Sequence, residues 1–383
     1  MISQKTQKRP TVLVVDDSRT LVGEITDILK GDYETVPAFD GEEALLKYKQ
    51  AKPDVILLNV GPGRNGFEVC RRIKESNGQA FTPVIVITEK DGLQDMKTDP
   101  LNGVEDYLTK PFERNELLAR LRAVLHSRKL YYDLKEAHSV IEKERGVIAK
   151  IQQSLLCEKL PEIPGFKFFS EYQPSAQASG DYYDFIRCDE DHLGMIVSDV
   201  SGHGTPAAVM MAMMRILLRS VLATVCCPKE VLERVNQALY ENIEPGHFIT
   251  AFYGVIHLPS RTLHYSSAGH NPPILVEYGS GKVHELRTTI GFPLMILHDN
   301  EMEERNIPLQ PNSKLVMYTD GLTEAKNPDG EFFGSERLIH ILREQGPDLG
   351  AKELGKKVME TVRDFLGGNE FHDDYTLVVV EVE

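Results

Sequence analysis

The stretch from Ile196 to Ala208 constrains the fold of this chain more than any other segment. An apolar run ends on Asp199, a Gly-His-Gly turn follows, and a long apolar pattern begins near Pro206. A strand that ends on a carboxylate and turns on glycines holds that carboxylate at one edge of a sheet, where the backbone can approach an ion. The stretch therefore predicts a strand, a tight turn and a buried helix, with Asp199 as a candidate cation ligand.

Three further acidic segments repeat this arrangement of a strand-like run and a carboxylate. They hold Asp181 in Ser179-Gly-Asp-Tyr-Tyr-Asp184, Asp320 in Val316-Met-Tyr-Thr-Asp-Gly321, and Asp373 in His372-Asp-Asp-Tyr-Thr376. Each carboxylate alone has a structural alternative as a turn or cap residue. Taken together with Asp199, they are predicted to converge on two hard divalent cations. Oxygen ligands without His or Cys favour Mg²⁺ or Mn²⁺ over zinc.

Length and composition limit the class of protein. A chain of 383 residues predicts two to three domains, and its 41% hydrophobic and 26% charged content is typical of a globular protein. A net charge of −15 makes nucleic acid a poor partner. The absence of a long apolar run and of a secretory h-region predicts a cytoplasmic protein that does not enter the membrane. Five cysteines without CxxC spacing argue against disulfides and structural zinc.

Residues 11–122 alternate continuous apolar runs with amphipathic helical patterns. This order predicts a doubly wound α/β domain, in which a parallel sheet carries helices on both faces. Ligands bind at the carboxyl ends of the strands in such a sheet. The polar residues expected at those ends are Asp16, Asp17, Asn59, Thr88 and Lys110.

This first segment resembles the receiver domain of response regulators. The resemblance is carried by Val14-Val-Asp-Asp-Ser18, by the strand end at Thr88 and by Tyr107-Leu-Thr-Lys-Pro-Phe112. It implies that the paired acids hold Mg²⁺ and that Thr88 and Lys110 contact a phosphoryl group. It also implies an aspartate phosphate acceptor at the end of the third strand, where this chain has Asn59.

Because residue 59 is an asparagine, we expect that phosphorylation by the usual route fails and that Mg²⁺ binds the receiver only weakly. An amide is a poorer nucleophile than a carboxylate, and it carries no charge for the cation. The loop 60–66 is one residue shorter than the family pattern, which favours a naturally degenerate receiver over an engineered Asp-to-Asn variant. Gly92 and Pro100 interrupt the region of the fourth helix, so the usual signalling face is expected to differ. We expect a docking or dimerisation module; the alternative is phosphorylation at a site other than Asn59.

Residues 123–160 are predicted to form a helical coiled-coil linker between a receiver-like domain, 1–122, and a second domain, 161–383. The helix has an apolar seam in alternating steps of three and four residues, broken at one position. The seam is formed by Leu130, Leu134, Ala137, Ile141, Glu144, Ile148, Ile151 and Leu155. A homodimer through this seam is favoured; an amphipathic helix packed on its own chain is the alternative.

The second domain groups its strand-like runs and its helical patterns separately. Strands are predicted at 193–197, 249–256, 262–266, 273–277, 314–318 and 376–382, and helices at 206–225, 228–242, 335–345 and 350–366. Grouped strands and grouped helices favour an α+β domain with an antiparallel β-sandwich flanked by helices.

This part of the chain resembles the SpoIIE-like group of PPM-type (metal-dependent, type 2C) serine/threonine phosphatases over residues 151–383. The matching motifs are Ile151-Gln-Gln-Ser-Leu-Leu156, Gly180-Asp-Tyr-Tyr-Asp184, Asp199-Val-Ser-Gly-His-Gly204, Thr250-Ala-Phe-Tyr253, Ser267-Ala-Gly-His-Asn-Pro-Pro273, Tyr318-Thr-Asp-Gly321, Glu331-Phe-Phe-Gly334 and Asp373-Asp-Tyr-Thr376. One departure is Ser179, where the family usually has glycine. This small change beside the first predicted ligand is not expected to abolish metal binding.

The resemblance implies roles for the acidic residues. Asp199 would bridge two Mn²⁺ or Mg²⁺ ions, with the backbone carbonyl of Val200 as a further ligand. Asp181 and Asp320 would complete the shell of one ion and Asp373 would hold the other. The residues expected around these ligands, orienting waters or shaping the loop, are Asp184, Asp374, Gly202 and His203.

The resemblance also implies a function in bacterial partner-switching signalling. A water activated by the two metals would hydrolyse phosphoserine or phosphothreonine in a STAS-type anti-sigma-factor antagonist, without a covalent intermediate, under control of the receiver-like domain. The alternative is a non-catalytic scaffold that binds the same partner. Retention of all four acidic segments speaks against the scaffold, because a scaffold needs no metal cluster.

Overall fold

The computed structural model describes residues 9–60, 66–76, 81–89, 104–157, 159–175, 178–202, 204–244 and 246–383. The chain divides into two compact units, Met1–Val140 and Ile141–Glu383. This division falls inside the predicted linker, 123–160. The shortened loop at 61–65 and the interrupted fourth-helix region at 90–103 lie outside the described residues.

The first unit is built on a parallel sheet. Its strands are β1 (Thr11–Val15), β2 (Glu34–Ala38), β3 (Val55–Asn59), β4 (Val84–Thr88) and β5 (Asp106–Thr109), in the order β2-β1-β3-β4-β5. Its helices are α1 (Arg19–Leu29), α2 (Gly41–Ala51), α3 (Gly66–Ser76) and the first part of α4 (Arg114–Gln153). Alternate residues of β1 face opposite sides: Leu13 packs with α2 and α3, and Val14 packs with α1 and α4. The predicted doubly wound fold is confirmed.

Helix α4 is 40 residues long and runs past the predicted end of the receiver. Arg128 Nη1 donates to Asp54 Oδ1 at 2.6 Å, and the Tyr132 hydroxyl accepts from the Phe81 amide at 3.0 Å. These contacts hold the helix to the first unit well beyond residue 122.

The predicted seam of the linker is only partly helical and largely exposed. Leu155 lies beyond the end of α4, so the seam ends at Ile151. Leu130, Leu134 and Ile141 are exposed apolar side chains on this helix. Dimerisation through the seam stays a prediction.

The second unit contains two antiparallel sheets. The strands of the first sheet are β7 (Tyr182–Arg187), β8 (His192–Val200), β9 (Ile249–His257), β10 (Thr262–Ala268) and β13 (Arg305–Pro308), in the order β13-β10-β9-β8-β7. The strands of the second sheet are β6 (Phe166–Gln173), β11 (Ile274–Glu277), β12 (Lys282–Glu285), β14 (Ser313–Tyr318) and β15 (Tyr375–Val382), in the order β12-β11-β14-β15-β6. The helices are α5 (Thr205–Leu222), α6 (Pro228–Asn242), α7 (Asp320–Thr323), α8 (Gly334–Gln345) and α9 (Ala351–Leu366), with a 3₁₀ turn at Gly346–Asp348.

These elements stack in four layers. Met195 and Val197 of β8 pack between the sheets against Met317 of β14, whereas Ile196 faces α5 and α6 on the outside. The second sheet packs its outer face against α8 and α9. The predicted sandwich flanked by helices is confirmed, because the period of two along each strand sends alternate apolar residues to the two cores.

Helix α5 is the most apolar helix of the second unit. Among the described residues it alone has the length and the mean hydropathy, 1.4, of a membrane span. Its buried face, which includes Met211, Met214 and Leu218, packs into the core beside the first sheet.

The prediction that the cysteines form no disulfide is wrong. Cys188 and Cys226 are joined across 38 residues of sequence. Cys188 follows β7 and Cys226 lies between α5 and α6, so the pairing depends on long-range folding that cysteine spacing does not encode. Cys227 caps the start of α6.

Candidate active site

Two pairs of neighbouring strands carry the acidic segments to one end of the sandwich. In the first sheet Tyr182 pairs with Ser198, so Asp181 before β7 comes beside Asp199 near the end of β8. In the second sheet Tyr318 pairs with Leu377, so the segment after β14 lies beside the segment before β15. Antiparallel pairing therefore brings together acids that are far apart in the sequence.

Two glycines let these segments approach each other. A Cβ on Gly180 would lie 2.8 Å from the carbonyl oxygen of Val200. A Cβ on Gly321 would lie 1.9 Å from the carbonyl oxygen of Asp374. A side chain at either position would displace backbone that carries a predicted ligand, so glycine is required for the close approach.

Asp181 is buried and held by two hydroxyl groups. Its Oδ2 accepts hydrogen bonds from Thr319 Oγ1 at 2.7 Å and Thr376 Oγ1 at 2.6 Å. Burial raises the pKa of Asp181 to about 8 against the opposing effect of these hydrogen bonds, and the charge of Asp374 adds to the increase. The two hydroxyls fix one carboxylate oxygen of Asp181. Neither threonine was predicted as a site residue, although Thr319 directly precedes the predicted ligand Asp320.

Asp199 lies among like charges. Burial raises its pKa to about 9, and the charges of Asp181, Asp320 and Asp373 contribute in that order. Burial also raises the pKa of Asp320, with contributions from Glu324 and Asp373. The pKa shifts of Asp199 and Asp320 therefore indicate that the four predicted carboxylates interact electrostatically, while their convergence on two metal ions stays a prediction.

The donor chemistry of this cluster fits divalent cations. None of the described residues donates a hydrogen bond to the carboxylate of Asp199, and Asp373 is exposed at the rim. Within the described ranges, no three His, Cys, Asp or Glu side chains already stand in metal-holding positions. Asp181 is buried and Asp199 and Asp320 are half-buried, and a group of carboxylates with so little access to water is stabilised by hard cations. The individual ligand roles stay predictions.

Asp374 and Asp184 stabilise the polypeptide around the cluster. Asp374 Oδ2 accepts from the Gly180 amide at 2.9 Å, and its Oδ1 accepts from the amide and hydroxyl of Ser175 at 2.7 and 2.9 Å. Asp184 Oδ2 accepts from Arg219 Nη2 at 2.6 Å and from the Tyr182 hydroxyl at 2.7 Å. Asp374 thus stabilises the segment that contains Asp181 by hydrogen bonding, while the ion pair of Asp184 with Arg219 links β7 to α5.

The glycine loop after Asp199 has left-handed backbone geometry. Gly202 and Gly204 have φ values of 92° and 80°, which disfavour residues with a Cβ. A Cβ on either glycine would meet no atom within 4 Å among the described residues. Backbone conformation is therefore sufficient to explain the glycines, and the close approach of this loop to the metal ions stays a prediction. His203 lies outside the described residues.

His270 is a buried histidine at the same end of the first sheet. Its Nδ1 lies 2.8 Å from Thr250 Oγ1, and burial lowers its pKa to about 4, so the imidazole is neutral at pH 7. A neutral, buried ring that is hydrogen-bonded to a threonine favours a structural role for His270.

Gln152 was not predicted as part of the site. Its side chain is buried in the last turn of α4, where Nε2 donates to the Ser179 carbonyl at 2.5 Å and Oε1 accepts from the Ser179 amide at 3.0 Å. Ser179 Oγ in turn accepts from the Asp181 amide at 3.0 Å. The end of the long helix is thus joined to the segment that carries the first predicted ligand, and the serine that departs from the family pattern takes part in the connection.

The polar residues predicted for the receiver pocket lie at the carboxyl edge of the parallel sheet. Lys110 Nζ donates to Asp16 Oδ2 at 3.2 Å and to Asn59 Oδ1 at 3.1 Å. Thr88 is buried at the end of β4, and Asp17 is exposed beside Asp16. The Lys110 ammonium therefore donates hydrogen bonds to one carboxylate oxygen and one amide oxygen within the pocket.

The four-layer fold and the acidic cluster between strand ends define a metal-dependent phosphatase domain of the PPM class. The chain is an enzyme of the protein serine/threonine phosphatase class, carrying a receiver domain ahead of the phosphatase domain. The family model for stage II sporulation protein E (SpoIIE) matches residues 189–383, just over half of the chain, and the chain belongs to this family. The response regulator receiver domain matches residues 12–122.

Individual relatives agree with this assignment. Phosphoserine phosphatase RsbU of Bacillus subtilis is 29% identical over 250 residues, which is 64% of this chain and 72% of RsbU. Phosphoserine phosphatase RsbP of the same organism is 26% identical over 246 residues, 63% of this chain and 58% of RsbP. The SiaA-PP2C domain of Pseudomonas aeruginosa shares the fold with a TM-score of 0.56 and 22% identity, over 64% of this chain and 99% of that domain.

Proposed function

We propose that this enzyme uses two Mn²⁺ or Mg²⁺ ions to hydrolyse phosphoserine or phosphothreonine in a STAS-type anti-sigma-factor antagonist in the cytoplasm. The observation that carries the proposal is the cluster of like charges around the half-buried Asp199, whose carboxylate receives no hydrogen bond from the described residues. The names of RsbU and RsbP support phosphoserine as the substrate group. The resemblance to partner-switching phosphatases supports the choice of protein substrate.

The protein's contribution to the reaction is to hold oxygen ligands in fixed positions. Thr319 and Thr376 anchor one oxygen of Asp181 and leave the other available. The proposed bridging role of Asp199 is supported by its electrostatic interaction with Asp181, Asp320 and Asp373. When bound, the cations would acidify a water and neutralise the phosphoryl oxygens. We therefore expect no phosphoenzyme.

The alternative is a scaffold that binds the same partner without turnover. A test that separates the two is phosphate release from a phosphoserine-containing STAS protein by the full-length chain in Mn²⁺. Multiple turnovers are expected, and an Asp199→Asn variant should lose them. Asp329→Asn is the matched control, because Asp329 is exposed in a turn and is not a predicted ligand. Substrate binding without phosphate release by the wild type would establish the scaffold instead.

We propose further that the receiver unit controls the phosphatase through the last turn of α4. The support is the reciprocal pair of hydrogen bonds between the Gln152 side chain and the backbone of Ser179, two residues before Asp181. The receiver itself is proposed to act without phosphorylation, because Asn59 occupies the acceptor position and already accepts from Lys110.

Comparison of the full chain with a fragment of residues 141–383 tests this control. The fragment keeps Gln152, so its site should remain assembled while input from the receiver is removed. A difference in turnover or in Mn²⁺ requirement between the two proteins is expected. Identical values for both would contradict control by the receiver.

We also propose a homodimer through the exposed seam of α4. Leu134 is 71% exposed on the seam, and Val140 is 50% exposed off it. Leu134→Glu should shift the mass measured by light scattering from dimer to monomer, whereas Val140→Glu should leave it unchanged. A monomeric wild-type chain at micromolar concentration would rule the dimer out.

A further inference from the structure

The disulfide between Cys188 and Cys226 belongs to neither the receiver pocket nor the acidic cluster. We propose that these two cysteines form a reversible thiol–disulfide site that takes low-molecular-weight disulfides as its oxidant. In the oxidised form, the bond fastens the hairpin of α5 and α6 to the edge strand β7 and makes the phosphatase unit more resistant to unfolding. This goes beyond the proposed phosphatase activity and does not depend on it.

The bond encloses the part of the chain that carries Asp199, one of the four predicted carboxylate ligands. Between the two cysteines lie β8, the loop that begins at Asp199, and all of α5. Cross-linking the ends of this segment restricts the unfolded chain and therefore favours the folded state. The linkage also fixes the end of α5 that is remote from the loop.

The hairpin does not need the bond in order to fold. Met211, Met214 and Leu218 of α5 are buried in the core beside the first sheet, and Arg219 pairs with Asp184 of β7. These contacts are expected to keep α5 packed beside β7 when the cysteines are reduced. Reduction is therefore expected to lower stability without abolishing the fold, as a reversible site requires.

The sulfur atoms are within reach of a small reagent. Cys188 and Cys226 are both half-buried, at the edge of the core. Their neighbours Arg187, Asp189 and Thr224 are exposed, so this edge faces solvent. In a reducing compartment, a disulfide in such a position is expected to be transient and to respond to the thiol pool.

The neighbouring Cys227 does not compete for the bond. Its Sγ donates to Glu304 Oε2 at 2.8 Å, and burial followed by this hydrogen bond raises the pKa of the thiol. Only the thiolate attacks a disulfide, so a raised pKa slows exchange with the adjacent Cys226. The pairing with Cys188 is therefore preserved although two cysteines are adjacent in the sequence.

Oxidation by glutathione disulfide balances in two exchange steps. The thiolate of one cysteine attacks a glutathione sulfur, forms a mixed disulfide and releases one glutathione thiolate. The second cysteine loses its proton and attacks the protein sulfur of the mixed disulfide, which forms the Cys188–Cys226 bond and releases the second glutathione. Two protein thiols are oxidised, one glutathione disulfide is reduced to two glutathiones, and the protons pass to solvent.

The test equilibrates the full chain in buffers with a series of glutathione disulfide to glutathione ratios, followed by alkylation and mass spectrometry. The reduced chain should carry alkyl groups on all five of its cysteines, and the oxidised chain should lack two, on the peptides that contain residues 188 and 226. The unfolding midpoint should be about 5 to 15 °C higher for the oxidised form.

Variants assign the effect to the pair. The Cys188→Ser and Cys226→Ser variants should each unfold at the midpoint of the reduced wild type, whatever the ratio of glutathione disulfide to glutathione. The unfolding midpoint of Cys227→Ser should rise with this ratio as that of the wild type does. Full alkylation of wild type at every ratio would overturn the proposal, as would equal midpoints for the oxidised and reduced chains. Peptide mapping of the wild type decides the question even if a serine variant does not fold.

Discussion

Gln152→Ala tests whether the end of α4 positions the acidic site. The substitution removes two hydrogen bonds from the backbone of Ser179, which is fully buried. A buried amide or carbonyl left without a partner costs about 1 to 3 kcal/mol, so the two groups together are expected to lower the free energy of unfolding by about 2 to 6 kcal/mol. In a unit of this size, that corresponds to a fall in unfolding midpoint of about 4 to 24 °C.

The same change should weaken metal binding. Ser179 holds the Asp181 amide, so loss of its anchor loosens the first predicted ligand. If the free energy of Mn²⁺ binding is weakened by about 1 kcal/mol, the Mn²⁺ concentration for half-maximal phosphate release rises about fivefold. Excess Mn²⁺ should then restore most of the turnover, which a purely structural defect would not allow.

Thermal unfolding and Mn²⁺ titration of phosphate release measure both effects. Gln153→Ala is the matched control, because the neighbouring glutamine is exposed. The reasoning is refuted if the two alanine variants share the same midpoint and the same Mn²⁺ requirement.

Three further substitutions test other parts of the structure. Gly321→Ala places a Cβ 1.9 Å from a facing backbone carbonyl and should abolish phosphate release, whereas Gly279→Ala, which has open space, should not; equal activity in both would contradict the close approach. Arg219→Ala leaves the carboxylate of Asp184 buried without its cation and should cost about 1 to 3 kcal/mol in urea unfolding, partly restored by adding Asp184→Asn; additive losses would argue against the pair. Asn59→Asp should allow Mg²⁺-dependent labelling by acetyl phosphate, and labelling of the wild-type receiver would contradict our interpretation of the amide.

The layers of the fold could be predicted because each element carries its own pattern. The run ending on Asp199 and the start of the helix after it were located to within one residue, since apolar periodicity and glycine mark them locally. Strands β6, β7, β12 and β13 were missed, and all four lie at the edges of their sheets. None of these edge strands has a clear apolar alternation in its sequence, and β12 and β13 have only four residues each.

The supporting contacts of the site could not be predicted because they join residues far apart in sequence. Thr376 lies 195 residues from Asp181, and Gln152 reaches Ser179 from the end of a helix that begins in the other unit. A polar side chain gives no local signal of such a partner. The disulfide escaped prediction for the same reason, because only the packing of a strand against a helical hairpin brings its cysteines together.

Direct counting of bound Mn²⁺ by equilibrium dialysis, paired with phosphate release from the same samples, tests the central claim that distant acids form one metal site. The wild-type chain is expected to bind two ions more than Asp199→Asn and to release phosphate only when they are bound. An Asp199→Asn variant that binds as many ions and retains full phosphatase activity would contradict the account.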